Sequence, residues 1–65
     1  MRNRLDIIIV EDESLISEML KVMLEGMGHK VVGIAHNKDK GLELIQRGGF
    51  NMAILDINLN GGIEG

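Results

Sequence analysis

Three carboxylates stand out by where they fall. Glu11 and Asp12 close the run Asp6-Ile-Ile-Ile-Val10, and Asp56 closes the run Met52-Ala-Ile-Leu55. An acid that ends an apolar run sits where a buried strand reaches the protein surface. If the two strands lie parallel and side by side, the three acids meet at one edge. Crowded like charges raise one another's pKa unless something positive intervenes. A hard divalent cation removes that conflict. Mg²⁺ suits oxygen ligands and keeps several waters, so one or two carboxylates plus a phosphate are enough. A carboxylate held beside such a cation can attack a phosphoryl group and become an aspartyl phosphate. Asp56 is the better nucleophile, because it opens the loop after its strand. The bland alternatives are a solvated strand-to-helix corner for Glu11-Asp12 and an Asx turn for Asp56. Acids at the ends of two strands favour the chemical reading over either.

Periodicity supplies the elements that must position these acids. Residues 6–10 are a β-branched run suited to a strand buried on both faces of a parallel sheet. Leu15, Ile16, Met19, Leu20, Met23, Leu24 and Met27 then recur at helical spacing from Ser14 to Glu25. Ser14 or Glu13 can start that helix, with acids at its first turn, and Gly26 and Gly28 can end it. Lys30 to Ala35 reads as a second strand. Asn37 is the expected N-cap of a second helix carrying Leu42, Leu44 and Ile45, and Gly48-Gly49 close it. Gly41 costs that helix about 1 kcal/mol relative to Ala. Phe50 to Ile57 reads as a third strand, followed by a polar, glycine-rich tail. The order is βαβαβ, which implies a parallel sheet with right-handed crossovers and chemistry at the carboxyl ends of the strands.

Composition narrows the classes. The 65 residues form at most one domain, 1–65. A chain this short buries only about 60% of the surface its unfolded form exposes. It has no Cys, hence neither a disulfide nor a thiolate site. A net charge of −3 gives no electrostatic case for nucleic-acid binding. The longest pure apolar run, Ile7 to Val10, is far too short for a bilayer, and no signal-peptide h-region is present. No membrane association and a cytoplasmic location are expected. Met19, Met23 and Met27 read as a core stripe, His29 and His36 as surface histidines without a metal, and Lys38-Asp39-Lys40 as a solvated helix start. Gly61, Gly62 and Gly65 could suggest a phosphate loop, but no G-x-G-x-x-G follows the first strand, so nucleotide binding is rejected.

Ile-Ile-Ile-Val-Glu-Asp-Glu at 7–13 together with Ile-Leu-Asp-Ile-Asn-Leu at 54–59 resembles the receiver domain of two-component response regulators, over essentially the whole chain. The resemblance implies the first half of a flavodoxin-like α/β fold, with strand order 2-1-3. It implies that Asp56 is the phosphoacceptor and that Glu11, Asp12 and Asp56 bind Mg²⁺ (or Mn²⁺) with the backbone carbonyl of Asn58. It implies a histidine kinase or phosphotransfer protein as partner. It also implies a protein that is not an enzyme beyond promoting its own phosphorylation and dephosphorylation. A different Mg²⁺-dependent phosphoryl-transfer fold would place an Asp two residues beyond Asp56, where this sequence has Asn58.

There are departures. Pro is missing from the loop after Asp56, which looks one residue longer, and the first acid is Glu rather than the commoner Asp. Family receivers continue with a third helix, two more strands and two more helices. These carry a Ser/Thr, a Lys and a switch aromatic beyond position 65. The chain is therefore expected to be a truncated receiver that accepts phosphate slowly, or a non-catalytic fragment serving as an interaction or dimerisation module. The third strand has no charge or Pro between Phe50 and Leu55, so homodimerisation through that edge is expected.

Overall fold

The structure, a computed structural model, describes residues 4–56. Asn58 and the glycine-rich tail lie outside the described residues. The order is β1 (Asp6–Glu11), α1 (Ser14–Gly26), β2 (Lys30–Ala35), α2 (Lys38–Arg47) and β3 (Met52–Asp56). The three strands form one parallel sheet in the order β2-β1-β3. This is the flavodoxin-like α/β arrangement expected from the sequence. The chain crosses first from β1 to β2 and then back past β1 to β3. Two right-handed crossovers in opposite directions put α1 and α2 on opposite faces.

That sandwich explains the core. Ile7, Ile8, Ile9 and Val10 alternate between the two faces of the central strand, and all four are at most 1% exposed. α2 lies close against its face because two glycines allow it. A Cβ on Gly41 would stand 2.8 Å from Val10, and one on Gly33 of β2 would stand 2.9 Å from Leu44. Gly41 thus trades helix propensity for close approach. Asn37 caps α2 as expected, its side chain accepting from Lys40 N–H at 2.8 Å. Gly48 ends α2 with φ +75°, a conformation that favours glycine.

Four expectations are corrected. Met19, Met23 and Met27 are not core: they are 56%, 57% and 66% exposed. α1 turns Ser17, Leu20, Lys21 and Leu24 toward the sheet, and the outer stripe has no described partner. α1 also carries no acid in its first turn, since Asp12 and Glu13 precede it. β3 begins at Met52 rather than Phe50, and Asn51 fixes the join. Its N–H donates to Asp6 C=O at 2.7 Å, and its Oδ1 accepts from Asp6 N–H at 2.9 Å. Of the two histidines, His36 is exposed as expected and His29 is not fully so. Half-buried His29 accepts from Leu5 N–H through Nδ1 at 3.1 Å, and His36 contacts Ser17 at 3.2 Å. Among the described residues no helix is long and apolar enough to cross a membrane.

Candidate functional site at the carboxyl edge of β1 and β3

β1 and β3 pair in simple register: Ile7 with Met52, Ile9 with Ile54, and at the end Glu11 with Asp56. Equal strand ends in a parallel pair bring two acids level at the sheet's carboxyl edge. Their surroundings differ. Glu11, the last residue of the central strand, is 2% exposed, whereas Asp56 and Asp12 are exposed. The chain turns at Asp12, and Glu13 N–H donates back to Glu11 Oε2 at 3.1 Å. The other oxygen, Glu11 Oε1, is buried without a hydrogen-bond partner.

The Glu13 N–H bond lowers the Glu11 pKa, because it favours the ionised form. Burial, the neighbouring Asp56 and Asp12 carboxyls and the charge of Asp56 all raise it, and together they leave it above its ordinary value of 4.5. A buried carboxylate with a free oxygen and an acid beside it is short of positive charge. Among the described residues no group of three or more His, Asp or Glu side chains forms a ready metal cluster. Mg²⁺ does not require one. It takes hard oxygens from one or two carboxylates and completes its shell with water and phosphate. The unpartnered Glu11 Oε1, with Asp56 level beside it and Asp12 next along the chain, fits that requirement. Glu11, Asp12 and Asp56 are therefore the residues that would hold the ion.

The sequence reading brought these three acids to one edge. It missed a neighbour. Ser17, 0% exposed on α1, lies with its Oγ 3.2 Å from His36 Nε2 in the connection after β2. The two are 19 positions apart, so no local spacing signalled the contact.

The chain was compared with known proteins. The family model described as response regulator receiver domain matches residues 7–65. The chain is 42% identical over 55 residues to an uncharacterized transcriptional regulatory protein, YkoG, of Bacillus subtilis (strain 168), a match covering 85% of this chain and 24% of that protein. It is 36% identical over 63 residues to the phyllosphere-induced regulator PhyR of Methylorubrum extorquens, covering 92% of this chain and 23% of that one. The chain thus spans about a quarter of the length of the curated relatives it matches. No solved structure gives a significant match. With the family model matching nearly every residue, and a βαβαβ sheet ordered 2-1-3 beneath it, the chain belongs to the response regulator receiver domain family of two-component signalling.

Proposed function

We propose that the chain is a phosphoacceptor in a two-component phosphorelay. In this reading Asp56 takes a phosphoryl group from a phosphohistidine of a histidine kinase or phosphotransfer protein. Mg²⁺, or Mn²⁺ in its place, is held by Glu11, Asp12, Asp56 and the Asn58 carbonyl. One observation carries the reading: a buried acid with a free oxygen, Glu11, lies level with an exposed acid, Asp56. When bound, the cation offsets charge on the phosphoryl oxygens in the transition state. The chain's own residues divide the remaining work. Glu11 is enclosed and tied to Glu13 N–H, which suits a fixed ligand and not a nucleophile. Asp56 is open to a donor protein. One of its carboxylate oxygens bonds to phosphorus as the phosphorus–nitrogen bond of the donor breaks, and the imidazole leaves with the electron pair. Both relatives are named as regulators, which agrees with a signalling role.

The test is intact-mass spectrometry after treatment with acetyl phosphate and Mg²⁺. A single phosphoryl adduct, labile to hydroxylamine and absent from Asp56→Asn, is expected. An adduct that persists in Asp56→Asn contradicts the assignment.

A second reading, an interaction module that dimerises, is favoured by the outer edge of β3. Among the described strands β3 pairs only with β1, and Met52 and Leu55 are 44% and 60% exposed. A trough of about 190 Å³ beside it is lined by Val10, Lys38, Gly41, Leu42, Ile45 and Leu55. A second copy could add its own β3 antiparallel, giving a sheet ordered 2-1-3-3′-1′-2′. Analytical ultracentrifugation at micromolar concentration tests this. A folded monomer, or a Leu55→Lys variant that stays dimeric, sinks it.

A further inference from the structure

We propose that Ser17 and His36 are positioning residues for Glu11, acting through the first turn of α1, and that His36 makes the contact as its Nε2–H form. The proposal rests on the reading of Glu11 as a cation ligand only for its functional consequence.

α1 begins without support of the usual kind. Glu13 stands at the N-cap with no side-chain hydrogen bond to the helix, and no acid follows in the first turn. A helix start left this way has unsatisfied N–H groups and frays. Yet its position matters, because Glu13 N–H is what holds Glu11 Oε2. If the turn drifts, the carboxylate that lies level with Asp56 turns with it.

Ser17 holds the turn from inside. Its N–H donates to Glu13 C=O at 3.1 Å, and its hydroxyl donates to Ser14 C=O at 2.8 Å. A helical serine bonding back to a preceding carbonyl is common and by itself means little. What that habit does not explain is the complete burial of Ser17 and its third contact, to His36. The accounting of protons fixes the direction of that contact. A hydroxyl has one proton, and Ser14 C=O has it, so Oγ offers His36 only lone pairs. Nε2 must therefore carry a hydrogen and donate. A neutral ring does this as the Nε2–H tautomer, and a protonated ring does it as well.

His36 is a firm post for such a bond. It follows Ala35, 3% exposed at the end of β2, and precedes Asn37, which caps α2. The contacts then run from His36 to Ser17, from Ser17 to the carbonyls of Glu13 and Ser14, and from Glu13 N–H to Glu11 Oε2. Two connections at one edge of the sheet are joined, and the end of the line is the carboxylate with a free oxygen.

The experiment is NMR on ¹⁵N-labelled protein, wild type, His36→Ala, His36→Gln and Ser17→Ala. Long-range ¹H–¹⁵N spectra of neutral His36 should show the Nε2–H tautomer. His36→Ala should shift the Glu13 amide and weaken Mg²⁺ binding about tenfold, the effect of removing a residue that orients a ligand. His36→Gln, whose amide nitrogen falls near the place of Nε2, should behave as wild type. An Nδ1–H tautomer overturns the proposal. So does a folded His36→Ala protein whose Glu13 amide and Mg²⁺ affinity are unchanged; this exposed position serves if Ser17→Ala does not fold. A wild type with no Mg²⁺ response at Glu11 removes the metal reading, and the tautomer and the Glu13 amide still decide the contact.

Discussion

α1 and α2 both start at the carboxyl edge of the sheet, one beside Asp12 and one beside His36, and they are secured there by opposite means. α2 is held locally. Asn37 caps it, and Gly41 lets its backbone settle on Val10. α1 has no side-chain cap and is held by contact between its own Ser17 and His36 of the connection after β2. Its outward face leaves Leu15, Met19, Val22 and Met23 open. The helix that carries the site's corner is thus the one whose start depends on tertiary contact. A locally capped helix can be altered at a cost to stability alone, whereas disturbing α1 reaches Glu11.

The largest expected effect comes from the buried central strand on which the comparison rests. Ile9→Ala should cost about 2–5 kcal/mol, comparable to the whole stability of so small a domain. Far-UV circular dichroism should find it largely unfolded at 25 °C. Next, the two helix starts should respond differently. Asn37→Ala loses a bonded cap, about 1 kcal/mol by urea titration. Glu13→Ala loses no cap bond and should stay within about 0.5 kcal/mol. Equal losses would break the comparison. Gly41→Ala sets a helix-propensity gain of about 1 kcal/mol against overpacking of about 1–3 kcal/mol on the stiff, buried Val10. Net destabilisation is expected, and a rise in melting temperature would mean that α2 is free to move outward.

The smallest effect concerns charge. The folded-state pKa of Glu11 lies above its unfolded value, so stability from this group is fully present below the unfolded pKa and lost as pH rises through the folded one. Glu11→Gln, which cannot ionise, should melt higher than wild type at neutral pH without divalent ions, and the gap should close in acid. A variant melting lower at neutral pH contradicts the cause assigned to the shift.

Much of this was legible beforehand, for reasons that differ by residue. The run Ile7 to Val10 announced a strand covered on both faces, and Asn37 and Gly48 announced the ends of α2, because those signals are local. The methionines of α1 were misplaced because periodicity marks an apolar face without saying what covers it. Leu20 and Leu24 belong to the same pattern and do meet the sheet. A serine gave no hint that it would be the most buried residue of α1. Glu11 was legible as a member of the acid group. Its burial and single free oxygen were not, since both depend on the strands either side of β1 and on the return of Glu13 N–H.

The measurement that reaches the central claim most directly is a Mg²⁺ titration of the ¹⁵N-labelled chain, followed by amide shifts. On the proposed function, the carboxyl edge of β1 and β3 is a cation site. Saturable shifts should therefore be confined to Glu11, Asp12, Glu13 and Asp56 with the residues just beyond it, and Asp56→Asn should weaken them. Amides at that edge that stay still while Mg²⁺ reaches millimolar concentration, or shifts centred elsewhere on the sheet, would contradict it.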